Sequence, residues 1–132
     1  MKYMLDTNIC IYLIKQHPVS VINRLKKQSI EDVCLSSITL AELEYGVQKS
    51  ERKEHNRFAL AQFVSPLDIL SFDEKAALEF GRIRAFLEQK GTLIGEYDLM
   101  IAAHALSLDL ILVTNNTKEF KRVSHLQIEN WV

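Results

Sequence analysis

The stretch that decides the fold is Lys2-Tyr3-Met4-Leu5-Asp6-Thr7-Asn8, at the start of the chain. Its apolar part predicts a buried strand over 3–5, which stops abruptly at an acid, a hydroxyl and an amide. Asp, Thr and Asn continue strands poorly and cap helices well, and the apolar segment 9–15 that follows predicts a helix. Asp6 is therefore expected at the carboxyl end of a strand, the edge where open α/β sheets bind ligands. Position alone favours a helix cap and a ligand equally.

Alternating strands and helices extend this pattern along the whole chain. Apolar runs predict strands at 3–5, 33–35, 67–72, 110–113 and 126–131. Helical spacing and capping residues predict helices at 9–15, 19–28, 38–47, 51–63, 74–89 and 97–108, and a short helical turn through Phe120. This order predicts an α/β domain in which a central, mostly parallel sheet is flanked by helices. We expect a single domain over residues 1–132.

Composition points to an ordinary soluble protein of the cytoplasm. The chain is 48% hydrophobic and 25% charged, which is enough apolar material for a core. No apolar run approaches the roughly 18 residues of a membrane span, and the start does not resemble a signal peptide. Cys10 and Cys34 match no zinc spacing, so two buried thiols are expected rather than a disulfide.

Three carboxylates stand among apolar residues, where solvated acids are not expected: Asp6, Glu42 and Asp98. Glu42 lies between two apolar stripes of its helix, but Glu44 does too, so a helical wheel does not choose between them. Asp98 lies in the first turn of the most apolar helix, where a favourable interaction with the helix dipole would explain it. Taken alone, each acid has an adequate structural explanation.

Taken together, the acids indicate a metal site. If the strands ending at Leu5 and Val113 are neighbours, Asp6, Thr114 and the start of the Asp98 helix share one rim of the sheet. Carboxylates that converge in one cleft repel one another and raise their own pKa values, and a divalent cation removes that repulsion. All-oxygen ligands suit Mg²⁺ or Mn²⁺ rather than zinc. Such a site is suited to hydrolysis of a phosphodiester.

The charge balance permits a nucleic-acid substrate without demanding one. A net charge of -1, from 16 basic and 17 acidic side chains, excludes a strongly basic coat protein. Neutralising the three acids locally would leave the rest of the chain at +2. The basic residues come in groups that can form a rim or simply solvated helix faces: Arg24, Lys26 and Lys27; Lys49, Arg52, Lys53 and Arg57; Arg82 and Arg84; Lys118, Lys121 and Arg122.

Four sequence blocks carry a family resemblance that covers essentially the whole chain. They are Met4-Leu5-Asp6-Thr7-Asn8, Ser37-Ile38-Thr39-Leu40-Ala41-Glu42-Leu43-Glu44-Tyr45-Gly46, Ile94-Gly95-Glu96-Tyr97-Asp98-Leu99-Met100-Ile101-Ala102-Ala103-His104-Ala105, and Leu112-Val113-Thr114-Asn115-Asn116-Thr117-Lys118-Glu119-Phe120. In this order and at this length, the chain resembles the PIN-domain ribonucleases and, within them, the VapC toxins of bacterial toxin–antitoxin pairs. The fold implied is an α/β/α sandwich.

The resemblance assigns the site residue by residue. Asp6, Glu42 and Asp98 match the family's three acidic metal-site positions, which selects Glu42 over Glu44. Many relatives carry a fourth acid two residues after the threonine of the last block. This sequence has Asn116 there, a neutral ligand at best, which leaves a second metal in question.

Four further residues are assigned supporting positions. Glu119 is expected to serve in place of the missing fourth acid, by projecting back from its short helix. Thr7 and Thr114 match hydroxyl positions that are suited to orienting a carboxylate or a water. Asn8 is expected to lock the turn rather than to touch substrate.

The activity implied is that of a metal-dependent endoribonuclease acting as a toxin. With Mg²⁺ or Mn²⁺, water would attack phosphorus in line and leave 5′-phosphate and 3′-hydroxyl ends, and similar VapC proteins cut initiator tRNA in the anticodon stem-loop. Relatives pair as homodimers, and a cognate VapB-type antitoxin blocks the site. The apolar segments 9–14 and 38–47 are candidates for its binding groove, although core packing explains most of their residues.

Two other functions fit parts of the sequence. A metal-dependent phosphatase of similar build also relies on a strand-end Asp, but it usually carries a second acid two residues later, where this chain has Asn8. An inactivated PIN-like module that binds RNA or a partner is favoured by Asn116 and opposed by the three intact acids. His104 falls on a different face of its helix from Asp98, which predicts a satisfied buried histidine rather than a ligand.

Overall fold

The computed structural model describes all 132 residues, Met1–Val132, and contains five strands and seven α-helices. The strands are β1 (Tyr3–Leu5), β2 (Val33–Ser36), β3 (Asp68–Leu70), β4 (Ile111–Val113) and β5 (Ile128–Glu129). The helices are α1 (Thr7–Lys15), α2 (Val19–Lys26), α3 (Ser37–Gln48), α4 (Lys53–Val64), α5 (Glu74–Gln89), α6 (Glu96–Ser107) and α7 (Thr117–Phe120). None of the helices is long and apolar enough to cross a membrane.

The five strands form one sheet in the order β3-β2-β1-β4-β5, and every pairing is parallel. The chain runs outward from β1 through β2 to β3, then returns to the other side of β1 and continues through β4 to β5. The strand order therefore reverses between β1 and β4, where Tyr3 pairs with Ile111 and Leu5 with Val113. The predicted neighbour relation of these two strands is confirmed, and their junction is the switch point at which such sheets bind ligands.

Both faces of the sheet are covered, which confirms the α/β fold with flanking helices. Tyr3 and Leu5 point into a core shared with α1 to α4, while Met4 points into a second core with α5 and α6. This alternation follows the two-residue period of a strand. Cys10 and Cys34 are both buried and free, one in each core, as predicted.

Element boundaries differ from the predictions at several ends. Helix α4 begins at Lys53 rather than at 51, because Arg52 has a non-helical backbone (φ -112, ψ 60). Helix α2 ends at Lys26 rather than at 28. Strand β3 is an exposed edge of three residues, and β5 has only two, because its ladder with β4 stops after Glu129. Beyond it, Trp131 packs edge-on against Tyr3 instead, with 5.3 Å between ring centroids.

Candidate active site at the ends of β1 and β4

Asp6 is both the end of β1 and the N-cap of α1. Its Oδ1 accepts a hydrogen bond from the backbone N–H of Ile9 at 2.9 Å, and its own N–H donates to the carbonyl of Val113 at 3.0 Å. The side chain is only 3% exposed. Burial raises the pKa of Asp6, and hydrogen bonds from Thr114 and Ile9 offset part of that rise. Capping therefore fixes Oδ1 of Asp6 at the carboxyl end of β1.

Asn8 does not lock the turn after β1 as expected. Thr7 and Asn8 lie inside the first turn of α1, and Asp6 itself supplies the cap. Asn8 is exposed and its side chain makes no hydrogen bond. Thr7 instead reaches across to α3, where its hydroxyl donates to Oε1 of Glu42 at 2.6 Å. A contact of this length orients the Glu42 carboxylate firmly.

The structure separates Glu42 from Glu44, which the helical wheel could not do. Glu44 is taken up by an ion pair with Arg57 of α4, at 2.6 Å. Glu42 has no basic partner, and its negative charge raises the pKa of both Asp6 and Asp98. Glu42 therefore belongs electrostatically to the cluster at the sheet edge, and Glu44 belongs to the contact between α3 and α4.

The effect of burial and of charge repulsion in this cluster is clearest in the pKa of Asp98. It lies in the first turn of α6, half-buried. Burial, followed by the charges of Asp6, Glu119 and Glu42, raises the pKa of Asp98 to about 6. A hydrogen bond from Asn116 lowers that pKa only in part. A carboxyl with a pKa this high is short of positive charge in its surroundings.

The loop after β4 brings three further residues to the same place. The buried hydroxyl of Thr114 accepts a hydrogen bond from the backbone N–H of Asn116 at 2.9 Å. The Asn116 amide donates to Oε2 of Glu119 at 3.0 Å, and it lies close enough to Asp98 to lower the pKa of that carboxyl. Asn116 therefore stands between two acids as a donor, and Glu119 brings a fourth carboxylate to the cluster.

The cluster is short of a cation. None of Asp6, Glu42, Asp98 and Glu119 forms an ion pair with a basic side chain, whereas the nearby Glu96 pairs with Arg84. As the side chains stand, no three acidic, imidazole or thiol groups are close enough to enclose an ion, in keeping with the mutual repulsion of uncompensated acids. All-carboxylate donors without a basic partner fit a hard divalent cation. Asp6, Glu42 and Asp98 are the residues predicted from the sequence to hold such a cation, and that assignment stays a prediction.

His104 takes no part in this cluster. It lies on the buried side of α6, where its Nδ1 is 2.8 Å from the hydroxyl of Ser36 and its ring meets Phe72 edge-on. Burial lowers its pKa, which favours the neutral imidazole. The predicted satisfied buried histidine is confirmed.

Two grooves flank Glu42, an aliphatic one that the sequence predicted and an aromatic one that it did not. The aliphatic groove, about 310 Å³, lies between α1, α3 and α4. The aromatic groove, about 490 Å³, lies on the other side, toward the start of α6. The aliphatic groove is lined in part by Ile11, Ile14, Leu43, Val47 and Leu60. The aromatic groove is lined in part by Thr7, Asn8, Tyr45, Lys49 and Tyr97.

Comparison with known proteins agrees with this geometry. The sequence profile of the PIN domain matches residues 3–126. The chain belongs to the PIN-domain family. Among PIN-domain relatives, it is 52% identical over 132 residues to "Ribonuclease VapC" of Haemophilus influenzae, covering 100% of this chain and 99% of that protein. It is 49% identical over 131 residues to "tRNA(fMet)-specific endonuclease VapC" of Shigella flexneri, covering 99% and 98%.

A solved PIN-domain structure has the same fold over its full length. It is described as "DNA bound VapBC from Salmonella typhimurium", and it superposes with a TM-score of 0.95 at 46% identity. The match covers 100% of this chain and 99% of that chain. Nucleases of the PIN family are generally metal-dependent, which fits four unpaired acids at the switch point of the sheet.

Proposed function

We propose that this chain, as one PIN domain over residues 1–132, is the endoribonuclease toxin of a type II toxin–antitoxin pair. The observation that carries the proposal is the cluster of four acids, none paired with a base, where β1 and β4 end. The names of the relatives, ribonuclease and tRNA(fMet)-specific endonuclease, support RNA as the substrate. The toxin acts in the cytoplasm, because tRNA is found there.

The role we propose for each residue of the site follows from its position. Asp6 and Asp98 are the principal ligands for Mg²⁺ or Mn²⁺, and Glu42 is the third. When bound, the cation lowers the pKa of an attacking water and offsets charge on the phosphate. Thr7 holds one oxygen of Glu42 at 2.6 Å, so the other oxygen is left to bind the cation or to accept a proton from water. Asp6 is held by its cap to Ile9 and by Thr114, which fixes the carboxylate at the end of β1.

Glu119 and Asn116 complete the site on the β4 side. Asn116 does not replace the fourth acid as a ligand in this account; it donates to Glu119 and to Asp98 and holds both in place. Glu119 supplies the fourth negative charge. This arrangement weakens the alternative of an inactivated RNA-binding module, since that alternative depends on the loss of the fourth acid at Asn116.

The substrate we propose is initiator tRNA, cut in the anticodon stem-loop, with 5′-phosphate and 3′-hydroxyl ends. Loss of initiator tRNA would stop translation and arrest growth. The toxin pairs as a homodimer, which brings two acid clusters together on one RNA-binding surface. Sedimentation of the purified protein tests this pairing independently of activity.

A VapB-type antitoxin is the proposed partner of the aliphatic groove. The groove is walled by Ile11 and Ile14 of α1, Leu43 and Val47 of α3, and Leu60 of α4. An apolar cleft between helices suits the apolar face of an amphipathic helix. Because Glu42 also lines the groove, a helix seated there ends beside the acids. A basic residue on that helix would then neutralise the cluster in place of the cation.

The experiment is cleavage of labelled initiator tRNA by purified protein freed of antitoxin, with an elongator tRNA as the comparison substrate. We expect cleavage with Mg²⁺ or Mn²⁺, arrest by EDTA and recovery when the metal is restored in excess. Cleavage that continues unchanged in EDTA would remove the metal from the mechanism. RNA binding without any cleavage, at any metal concentration, would favour the inactivated module.

A further inference from the structure

We propose that the aromatic groove is a nucleotide subsite, in which Tyr45 and Tyr97 stack on an RNA base beside the cleaved bond and Lys49 pairs with a phosphate. The inference rests on the proposed ribonuclease function and adds to it a place that reads the substrate. It concerns residues outside the acid cluster, on the side of Glu42 away from the aliphatic groove.

The first observation is the exposure of two aromatic rings in one groove. Tyr45 of α3 is 64% exposed and Tyr97 of α6 is 58% exposed, although both belong to helices that are otherwise well packed. The two rings do not stack on each other; the aromatic pairs in the molecule are Tyr3 with Trp131 and Phe72 with His104. Both tyrosines therefore have ring surface available to a ligand.

The second observation is the charge beside these rings. The Nζ of Lys49 lies 5.0 Å from the centroid of the Tyr45 ring, one helical turn along α3. Lys49 forms no ion pair with any acid. A lysine held only by an aromatic face is free to move to a stronger acceptor, and an RNA phosphate is such an acceptor.

The third observation is continuity with the acids. Thr7 and Glu42, which hydrogen-bond to each other, also line the aromatic groove. A nucleotide seated there is therefore next to the bond that the cluster would cleave. The groove volume of about 490 Å³ falls within the usual range of roughly 300–1,000 Å³ for small-ligand sites.

The lining chemistry favours RNA over a protein partner. Single-stranded RNA is bound by aromatic side chains that stack on bases and by basic side chains that follow the backbone. Beside Ile11, Ala41 and Glu42, the aromatic groove offers two tyrosines, a lysine, the hydroxyl of Thr7 and the amide of Asn8. The aliphatic groove offers isoleucine, leucine and valine, which suit an apolar helix.

The test measures cleavage and binding separately on the anticodon stem-loop RNA. Tyr45→Ala and Tyr97→Ala should each raise KM roughly ten-fold or more with little change in kcat, as expected for a lost base stack. Tyr45→Phe and Tyr97→Phe keep the ring and should stay near wild type. In EDTA, fluorescence anisotropy of the same RNA should show the same order of affinities, because binding through this groove needs no cation.

Two matched controls isolate the groove. Phe58→Ala removes an aromatic ring that is also 64% exposed but lines neither groove. Lys90→Ala removes a lysine that sits 4.6 Å from the ring centroid of Phe86, on another part of the surface. Both should leave KM unchanged, whereas Lys49→Ala should raise KM and flatten the salt dependence of binding. If an alanine variant fails to fold by circular dichroism, Tyr45→Leu and Tyr97→Leu make the same test.

The outcomes separate this proposal from the proposed function. If wild type cleaves RNA and the tyrosine variants match it in KM and in binding, the subsite is wrong and the nuclease stands. If wild type binds RNA through the tyrosines but never cleaves, the subsite stands and the nuclease is wrong. If neither binding nor cleavage occurs, both fail. If the tyrosine variants lose only neutralisation by antitoxin, the groove belongs to the protein partner and the subsite is overturned.

Discussion

The two grooves beside Glu42 are built from one helix and differ completely in character. Residues four positions apart lie on the same side of a helix, because the helix turns by about 100° per residue. Three such pairs on α3 line the two grooves. Leu43 and Val47 face the aliphatic groove, and Tyr45 and Lys49 face the aromatic groove. Glu42 and Gly46 form the stripe between them and line both. A single helix thus places one carboxylate between an apolar surface suited to a protein and a polar aromatic surface suited to RNA.

The antitoxin and the RNA substrate can therefore both reach Glu42 while binding to different surfaces. An apolar helix can fill the first groove and reach the acids without covering either tyrosine. RNA can fill the second groove and reach the same acids while leaving Leu43, Val47 and Leu60 of the aliphatic groove uncovered, although Ile11 lines both grooves. Variants can therefore separate the two partners.

The largest effect should come from the acids that lie between the grooves. Asp6→Asn removes a charge while keeping the side-chain shape and the cap to Ile9, so the fold should survive. Cleavage should fall roughly 1,000-fold or more, since a principal ligand is lost. Gel assays of labelled tRNA measure this loss. Asp109→Asn is the control, because Asp109 is an exposed acid in a left-handed turn (φ 54) that Asn also tolerates.

A charge placed in the aliphatic groove should separate the two partners. Ala59 of α4 lines that groove, and Ala61 of the same helix is exposed outside it. Ala59→Glu should weaken antitoxin binding at least about ten-fold, because an unpaired carboxylate would be buried against an apolar helix. Cleavage by the free toxin should fall far less, and Ala61→Glu should change neither. Equal losses of antitoxin binding and cleavage from Ala59→Glu would mean that the grooves are not separate.

The acid cluster should also affect stability in a pH-dependent way. The pKa of Asp98 is raised to about 6, so the folded protein holds this proton more tightly than the unfolded chain does. The resulting stability is present at acid pH and is lost as the pH rises through about 6. In EDTA, Asp98→Asn should therefore melt a few degrees above wild type near pH 7.5.

Two further readings of the same melting experiment check its cause. The difference in Tm should narrow as the pH falls below about 6 and close only below roughly pH 4, where the carboxyl is protonated in the unfolded chain as well. Added Mg²⁺ should raise the Tm of wild type and leave that of Asp98→Asn unchanged, because only the first keeps the full ligand set. A gap in Tm that is the same at both pH values would show that the carboxylate charge is not its source.

The smallest effect concerns Gly46, which lines both grooves together with Ile11 and Glu42. A Cβ added at Gly46 or at Gly81 of α5 meets nothing within 4 Å. Either Gly→Ala change should raise the free energy of unfolding by roughly 0.5–1 kcal/mol, because alanine loses less entropy in a helix. Only Gly46→Ala should also lower antitoxin affinity, since its methyl group projects into the groove. Identical antitoxin affinity for the two variants would remove Gly46 from that contact.

Much of this site could be predicted because strand ends and helix starts are local signals. The apolar run before Asp6 and the helix beginning near Asp98 were both readable from residue order. The choice between Glu42 and Glu44 could be made only from the family resemblance and not from helical periodicity, because in the structure it depends on Arg57, which reaches Glu44 from another helix. The hydrogen bond from Thr7 to Glu42 could not be predicted from periodicity either, because the two residues are 35 positions apart and lie on different helices.

Two features of the site were not predicted correctly from the sequence: the residue that caps α1 and the exposure of the two tyrosines. The turn after β1 is closed by Asp6 rather than by Asn8, because an aspartate at the N-cap satisfies the Ile9 N–H directly. Core packing was expected to explain most of the segment that contains Tyr45, and no signal singled out Tyr97. Only the packing of α3 and α6 reveals that Tyr45 and Tyr97 are left outside.

The most direct test of the central claim is the chemistry of the RNA ends after brief expression without antitoxin. Sequencing of 5′ ends should find one dominant new end in the anticodon stem-loop of initiator tRNA. That end should carry a 5′-phosphate and should be absent from cells that express Asp6→Asn. Water activated at a carboxylate-bound cation requires this result. A 5′-hydroxyl at the new end, or the same end from Asp6→Asn, would contradict a metal-dependent hydrolase at the junction of β1 and β4.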